Sequence, residues 1–399
     1  MAEAGQHRAA EDEPDNSPED PTGGLLRRRR ISWAAGGVVV ALLVAGAAVT
    51  TTMLRGPDGS TPADRSGTNT TGALTAPTPT PTPPPSPTPE PGADLRGPLN
   101  LLLVGVDTRV SEPAWEPHAD AVLIMQVSRE LDRAYLFSLP RDLVVDIPPF
   151  AKAKFPGQQT KLTHAMSHGS KTNGGKGEPN TAQGLELVEA TVSRYTGINK
   201  WDASAVLTFG GFDDLVDALG GIDLYVDQRV VSQHRQPNGK HRPGNTNGDG
   251  YVGPQMVYEK GDRHLTGWQA LDYARQRHTT GGDYARQRHQ QQLIKAIVAK
   301  VVSEELARDP DRLDQVLRTM GEALTFSGRN QRVIDFAFAL SGLRPEAITL
   351  VGLPGASVGS GGSYRGEQLT QVGTRFLTEL RAGRADAYLA ANPELVVTR

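Results

Sequence analysis

The stretch from residue 265 to residue 292 gathers basic side chains in a chain whose formal net charge is −3. Its charged residues are Arg275, Arg277, Arg286 and Arg288, with Asp272 and Asp283 against them. A local excess of positive charge in an acidic protein indicates an anionic ligand. The planar guanidinium group presents a fixed fork of donors that suits phosphate oxygens. We therefore predict that this stretch binds a diphosphate; the alternative is an arginine-rich helix that faces solvent.

The first half of the stretch is predicted to be a short helix. Thr266, with Gln269 three residues later, has the form of a capping box that opens a helix running through Tyr273. If Arg275 and Arg277 then lie in an extended segment, their spacing of two places both guanidinium groups on one side.

The second half is predicted to be a longer helix. The Thr-Thr-Gly-Gly run at residues 279–282 interrupts the chain, and Asp283 can cap the helix that follows. One face of this helix is polar in the first turn and apolar beyond it; its residues are Arg286, Gln290, Leu293 and Ile297. A helix N-terminus also favours anions through its free N–H groups and its dipole. The front of this helix is therefore predicted to point at a polar site.

Three short apolar runs near the start of the folded region predict buried strands, at residues 99–106, 121–127 and 134–139. Short connections make neighbouring strands pair in an antiparallel meander. The end of the first strand, the start of the second and the end of the third then share one edge of the sheet. The polar residues expected there are Asp107, Arg109, Asp120, Arg141 and Asp142.

Two carboxylates at this edge predict a site for a hard cation. Mg²⁺ is usually held by one or two carboxylates together with substrate phosphates, and the adjacent arginines would bind the oxygens that the metal leaves free. The alternative is that Asp107 and Asp120 only cap loops at strand ends. The chain has no cysteine, so it has neither disulfides nor thiolate chemistry.

Strands and helices alternate along the rest of the chain, which predicts an α/β fold with a mixed central sheet flanked by helices on both faces. Helices are predicted at residues 183–195, 212–219 and 293–307, and strands at 204–209, 222–226 and 347–353. We predict that the polar insertion at 228–261 is a mobile loop rather than a site, and that the residues after 353 are peripheral. His164 and His168 are predicted to lie at the rim of the site, since they lack the companions of a zinc centre.

The first hundred residues predict a membrane anchor. Residues 1–30 form a disordered tail by composition, and residues 31–54 contain no charged side chain. Twenty-four residues at 1.5 Å each span ~36 Å, enough for the roughly 30 Å hydrocarbon core and longer than the apolar part of a signal peptide. Arg27 to Arg30 are expected to stay in the cytoplasm. A Pro/Thr-rich extracytoplasmic linker at 55–97 then leads to a catalytic domain at 98–399. A single-pass anchor would hold this domain on the outer side of the cell membrane.

These motifs together resemble the LytR-CpsA-Psr family of extracytoplasmic wall-polymer ligases. The resemblance covers residues 99 to about 353, and its motifs are LLLVGVDTR, ADAVLIMQV, LFSLPRD, KLTHA, LVDALGGIDLYV, ALDYARQRH and GDYARQRHQQQ. It implies transfer of a glycopolymer phosphate from a polyprenyl-diphosphate lipid carrier onto peptidoglycan, with Mg²⁺ or Mn²⁺. The lipid needs a long apolar groove, which the helices around residues 185–192 and 293–302 could line; packing in the core explains the same leucines and valines equally well.

The resemblance also implies roles for individual residues. Asp107 and Asp120 are similar to the metal-holding aspartates of the family. The diphosphate-binding residues implied are Arg109, Arg141, Arg275, Arg277, Arg286 and Gln290. Arg141 is also a catalytic candidate, and Asp142 and Asp283 are both candidates for the base that takes the proton of the acceptor hydroxyl.

Two positions depart from the family pattern. The family usually has Arg-Ser where this chain has His118-Ala119, and a second arginine where this chain has His289. Because both histidines can titrate near neutral pH, we predict activity that depends more on pH than in relatives.

Two other functions fit the same residues. A diphosphatase would hydrolyse the lipid link with water as the acceptor, and a wall-binding or regulatory membrane protein would need no catalysis. Nucleic-acid binding is disfavoured, because the basic cluster lies outside the membrane and lacks interleaved aromatic residues.

Overall fold

The computed structural model describes residues 91–107, 115–246, 250–303, 306 and 309–397. The predicted tail, the predicted membrane span and most of the predicted linker lie outside the described residues, as does Arg109. Within the described ranges, no helix combines the length and the apolar character needed to cross a bilayer.

The strands of the described chain are β1 (Leu99–Val106), β2 (Ala119–Val127), β3 (Ala134–Leu139), β4 (Val144–Ile147), β5 (Gln158–Lys161), β6 (Ala203–Thr208), β7 (Ile222–Val226), β8 (Val230–Val231), β9 (Val257–Tyr258), β10 (Gly261–Leu265), β11 (Leu324–Ser327), β12 (Ile348–Val351), β13 (Gly355–Val358) and β14 (Gly366–Leu369). Six of them form one sheet in the order β11-β6-β1-β2-β3-β12. The predicted meander is confirmed, because β1 pairs with β2 and β2 with β3 in antiparallel register. The sheet is mixed, since β6 runs parallel to β1 and β12 parallel to β3.

Helices cover both faces of this sheet. They are α1 (His164–Ser170), α2 (Thr181–Thr196), α3 (Phe209–Ala218), α4 (Gly267–Arg275), α5 (Gly282–Ser303), α6 (Pro310–Met320), α7 (Val333–Ala339), α8 (Gln371–Arg381) and α9 (Ala385–Ala391). The apolar core on one face joins the sheet to α3 through α7. The core on the other face joins it to α1, α2, α8 and α9. The predicted fold class is therefore confirmed for the described residues.

Burial on both faces explains why the strand sequences are continuously apolar. Along β1, Leu101 and Leu103 enter the first core, whereas Leu102 and Val104 enter the second. Successive side chains of a strand point to opposite faces, so a strand covered on both sides needs an apolar residue at every position.

The expectation that the residues after 353 are peripheral is wrong. Helix α8 buries Phe376, Leu377 and Leu380 in the second core. The ring of Phe376 meets that of Phe137 on β3 edge-to-face, with 5.5 Å between the ring centroids. These apolar residues recur at helical spacing, which is the pattern of a helix packed on a core.

Candidate functional site

A β-bulge at the edge of the sheet places the two aspartates. Val106 pairs with Ala119 and Gly105 with Ala121, so Asp120 is the additional residue on β2. A bulge of this kind redirects one side chain away from the regular alternation and is common beside active sites. Asp107 follows directly after β1, so both carboxylates lie at the edge that the meander predicted.

Arg141 reaches the same edge from the turn after β3. Its guanidinium group pairs closely with the carboxylate of Asp120. The backbone of this turn is fixed, because the carbonyl of Arg141 accepts a hydrogen bond from the Thr163 N–H at 2.9 Å and the carbonyl of Thr163 accepts from the Ala119 N–H at 3.2 Å.

The arginine stretch brings three further guanidinium groups to this edge. The predicted capping box of Thr266 and Gln269 opens α4. The helix runs through Arg275, two residues further than predicted, and extended backbone at Gln276 leads to Arg277. Helix α5 begins at Gly282, so Asp283 lies in its first turn instead of capping it.

These side chains line one open pocket of about 300 Å³. The lining residues that the sequence predicted are Asp107, Asp120, Arg141, Arg275, Arg277, Arg286 and Gln290. Residues that are far apart in the sequence therefore meet in one place, as the hypothesis of a diphosphate pocket requires.

The pocket carries more positive than negative charge. Arg275 donates to Asp107 with 3.1 Å between Nη2 and Oδ2, and the Nη2 of Arg277 lies 3.9 Å from an Asp120 oxygen that also contacts Arg141. Four guanidinium groups against two carboxylates leave two positive charges among the lining residues.

Arg286 is the most deeply placed of these arginines, with only 3% of its surface exposed. Its Nη2 contacts the Asp283 carboxylate at 2.8 Å, but its buried Nε–H has no hydrogen-bond partner among the described residues. Burial lowers the pKa of Arg286 to about 10, so the side chain is still cationic at neutral pH. A buried donor without an acceptor costs free energy, which an anion entering the pocket would recover.

Gln290 lies where the polar pocket meets an apolar cavity. Leu293 and Ile294, the next turn of α5, line this cavity with Leu123 of the sheet, and Gln290 and Arg275 border both spaces. The predicted polar-to-apolar face of α5 is thus confirmed. For residues 185–192 the core alternative is confirmed and the groove is not, because their apolar side chains pack in the core on the opposite face.

Sequence reasoning missed five residues that line the pocket: Phe209, Gln233, His234, Gln276 and His278. The ring of Phe209 lies against the Arg275 guanidinium, with 4.5 Å between the guanidinium carbon and the ring centroid. Phe209 follows β6, which is parallel to β1 and ends at the same edge. The topology of the sheet was the signal that would have found it.

The insertion at residues 228–261 contributes to the site, contrary to expectation. Buried Asp272 of α4 accepts hydrogen bonds from the Ser232 hydroxyl at 3.0 Å and the Tyr258 hydroxyl at 2.8 Å. The N–H of Gln233 donates to the Gln276 side chain at 2.9 Å. These bonds tie the insertion to α4 and place Gln233 and His234 in the pocket wall.

The two candidate bases lie beside the pocket arginines rather than in the pocket lining. Asp283 contacts Arg286 and lies 3.7 Å from the Nε of Arg277. Asp142 accepts from Lys161 at 3.2 Å and lies 3.6 Å from the Nε of Arg141. Each carboxylate is therefore separated from the pocket by one arginine side chain.

Three histidines cluster near Asp142 and Lys161. The ring centroid of His164 is 5.8 Å from that of His118 and 6.1 Å from that of His168. Burial lowers the pKa of both His164 and His168. None of the three rings lines the arginine-rich pocket. Among the described residues, no group of three or more His, Cys, Asp or Glu side chains is placed to hold a metal ion.

His289 is fully buried and lies outside the pocket lining. Its Nε2 is 3.1 Å from Asp227, which also pairs closely with Arg288, and its ring stacks on Tyr273 at 4.3 Å. Burial lowers the pKa of His289 in spite of the hydrogen bond to Asp227. Although burial opposes its charge, hydrogen bonds from His289 and Arg288 lower the pKa of Asp227 to about 2. Both pKa shifts are consistent with a neutral His289 that donates a hydrogen bond to a charged Asp227.

The three-layer fold and the pocket at its sheet edge define an α/β protein with an arginine-rich pocket whose charge suits a polyanionic ligand. The LytR_cpsA_psr family model matches residues 66–379, so the chain belongs to the LytR_cpsA_psr family.

Curated relatives and solved structures agree with this membership. The chain is 28% identical over 265 residues to the polyisoprenyl-teichoic acid–peptidoglycan teichoic acid transferase TagT of Bacillus subtilis, an alignment covering 66% of this chain and 69% of TagT. It is 26% identical over 204 residues to TagU of Bacillus cereus, covering 51% of this chain and about half (52%) of TagU. The structure of Bacillus subtilis TagV matches with a TM-score of 0.52 at 19% identity, over 73% of this chain and 98% of TagV. TagT bound to LI-WTA matches with a TM-score of 0.51 at 24% identity, over 72% of this chain and 89% of TagT. These structural matches establish the fold.

We predict that His289 makes stability, rather than diphosphate binding, depend on pH. Below about pH 6.5 the unfolded chain binds a proton at His289 that the folded protein does not, so the free energy of unfolding falls as the pH is lowered. Replacing His289 with glutamine should reduce the loss of stability between pH 7.5 and pH 5.5, because the burial that lowers the pKa of His289 is then removed from the balance. Urea unfolding of both proteins at the two pH values measures the difference, and an equal loss in both would contradict the assignment.

Proposed function

We propose that this protein is an enzyme that transfers a glycopolymer phosphate from a polyprenyl-diphosphate carrier to peptidoglycan. TagT and TagU are named as transferases of teichoic acid from a polyisoprenyl carrier to peptidoglycan. The observation that carries the proposal in this chain is that two unlike spaces lie side by side. The pocket lined by the four arginines, called the diphosphate pocket below, shares the lining residues Phe209, Arg275 and Gln290 with the apolar cavity.

Like these two neighbouring spaces, the proposed donor joins a charged part to an apolar part. A diphosphate that joins a lipid to a sugar carries two negative charges, and the guanidinium groups that line the pocket outnumber its carboxylates by four to two. The prenyl chain would enter the apolar cavity between α3, α5 and the sheet. That cavity holds about 60 Å³ in this structure, so a long chain enters only as its walls separate.

The proposed reaction is attack by a sugar hydroxyl of peptidoglycan on the phosphorus next to the glycopolymer. A new phosphorus–oxygen bond forms to the acceptor, the phosphoanhydride bond breaks, and the lipid phosphate leaves with the bonding electrons. Charge on both phosphates grows in the transition state, and the fixed guanidinium groups of Arg141, Arg275 and Arg286 would stabilise it. Asp142 and Asp283, which flank these arginines, are the proposed acceptors for the hydroxyl proton.

Asp107 and Asp120 are the residues proposed to hold Mg²⁺ or Mn²⁺. Their oxygens are the ligands that hard cations prefer, and two carboxylates completed by substrate phosphates are a usual set for Mg²⁺. When bound, the metal would neutralise phosphate charge. Asp107 is paired with Arg275 and Asp120 with Arg141 in this structure, so each carboxylate would exchange an arginine contact for the metal.

The predicted membrane anchor at residues 31–54 belongs to the proposal as well. A catalytic domain outside a single-pass membrane, with the N-terminus in the cytoplasm, would stand where lipid-linked donor and peptidoglycan meet. The Pro/Thr-rich segment at 55–97 would act as a semi-rigid spacer between the two.

A transfer assay separates ligation from its alternatives. With radiolabelled lipid-linked donor and purified peptidoglycan, the protein should attach label to the wall, and Arg141→Ala should reduce the rate at least about 100-fold because a charge-stabilising contact is lost. Arg263→Ala, an exposed arginine outside the pocket, serves as the matched control. Free phosphorylated glycopolymer as the sole product would indicate a diphosphatase. Full activity of Arg141→Ala would indicate a protein that does not use this pocket for catalysis.

Metal binding should depend on both aspartates and on the diphosphate. Titration of Mg²⁺ in the presence of geranylgeranyl diphosphate should give an affinity that falls at least about tenfold in Asp107→Asn and in Asp120→Asn, because each change removes one charged ligand. Asp262→Asn, at an exposed position, should bind Mg²⁺ as the unmodified protein does. An unchanged affinity in both pocket variants would contradict the assignment of the metal ligands.

A further inference from the structure

We propose that a second polar pocket, built by the insertion at residues 228–261 against α4, binds the sugar unit attached to the diphosphate of the donor. This inference rests on the proposed function. It assigns a binding site to the sugar of the donor, which the diphosphate pocket does not hold. The second pocket has a volume of about 170 Å³ and shares His234 and Arg275 with the diphosphate pocket. We refer to it as the insertion pocket.

Arg275 is the junction of three spaces with different chemistry. It borders the apolar cavity, the diphosphate pocket and the insertion pocket. Leu271, one turn earlier on α4, borders the apolar cavity and the insertion pocket, so α4 forms the wall between them. If the diphosphate of the donor binds at Arg275, the lipid can enter the apolar cavity and the glycan can enter the insertion pocket.

The walls of the insertion pocket combine aromatic rings with hydrogen-bonding groups. Tyr251 and Trp268 supply the rings, and Tyr251 is 46% exposed. A pyranose ring has a face of C–H groups that can lie against an aromatic ring and a rim of hydroxyl groups that needs donors and acceptors. Arg235 and His241 lie in the same wall and offer such groups.

The rings are held in place by the insertion itself. The His234 ring meets Tyr251 edge-to-face, with 5.2 Å between centroids. Gly239 has a φ of 84° and lies so close to Trp268 that a β-carbon at this position would be 3.1 Å from the indole. The turn that contains Gly239 therefore packs directly on the Trp268 ring.

Hydrogen bonds close the insertion into a fixed loop. Arg242 donates to the carbonyl of Gln233 at 2.8 Å and to the carbonyl of Tyr251 at 3.0 Å, joining two arms of the insertion. Arg235 donates through Nη1 to the carbonyl of Gly239 at 2.8 Å. A pocket whose walls are tied in this way before the ligand arrives loses less conformational entropy on binding.

Two ligands that differ only in the sugar test the proposal on the full chain. The probes are the methyl ester of geranylgeranyl diphosphate and geranylgeranyl diphosphate that carries one N-acetylglucosamine, so that each is a diphosphate diester with two negative charges. The unmodified protein should bind the sugar-bearing lipid about tenfold more tightly. Tyr251→Ala and Trp268→Ala should each bring the two affinities within about twofold while leaving that for the methyl ester unchanged.

Val252→Ala is the matched control, because this residue is exposed beside Tyr251 and does not line the insertion pocket. Equal affinity of the unmodified protein for the two probes would overturn the sugar site and leave the diphosphate pocket standing. Equal loss of both ligands in the two aromatic variants would overturn it too, since the rings would then not select for the sugar. Failure of the unmodified protein to bind either probe would contradict the proposed function, and the inference with it.

Discussion

The electrostatic balance at one edge of the sheet is the constraint on which the site depends. Four guanidinium groups line a single pocket, and they repel one another unless carboxylates or a bound anion lie between them. Asp107 and Asp120 supply part of that compensation by pairing with arginines from other segments, and Asp283 supplies another part by pairing with Arg286 on the same helix. The remaining positive charge and the unsatisfied hydrogen-bond donor on buried Arg286 favour binding of a polyanion in this pocket.

The fold holds these charges in place by using rigid elements that end at the same edge. The meander of β1, β2 and β3 brings together aspartates and an arginine from adjacent strands, and a bulge directs Asp120 out of the regular alternation. The arginines of the later stretch come from the end of α4 and the first turns of α5. Since both helices pack on the sheet through apolar residues, the polar ends have little freedom to separate.

Features with a regular period were predictable from the sequence. Continuous apolar runs gave the central strands, and helical spacing predicted the face of α5 that passes from Arg286 to Ile297. Helix α8 shows the same spacing, and its role in the core was missed only because the surrounding residues are polar. The sequence could not predict whether Leu185 and Leu293 line a lipid-binding groove or pack in the core. Leucine is suited to both positions, and the topology of the fold places Leu185 in the core and Leu293 at the apolar cavity.

Features built from loop hydrogen bonds had no such signal. Gln233 and His234 reach the pocket because Ser232 and Tyr258 bond to Asp272 of α4 and Gln233 bonds to Gln276 directly after α4. Polar contacts of this kind follow no period. His289 was placed near the site because it belongs to the arginine stretch. Its position on α5 instead directs its side chain to Asp227 and the protein interior. Residue type and motif predicted the chemistry of the site; the loop contacts that complete its wall required the structure.

A crystal structure of the protein with a polyprenyl diphosphate and Mg²⁺ would test the central claim most directly. The account predicts phosphate oxygens within about 3.2 Å of the Nε of Arg286 and of the guanidinium groups of Arg141 and Arg275, with the lipid chain entering between Leu123 and Leu293. A diphosphate bound elsewhere on the domain, with the Nε of Arg286 still lacking an acceptor, would contradict it.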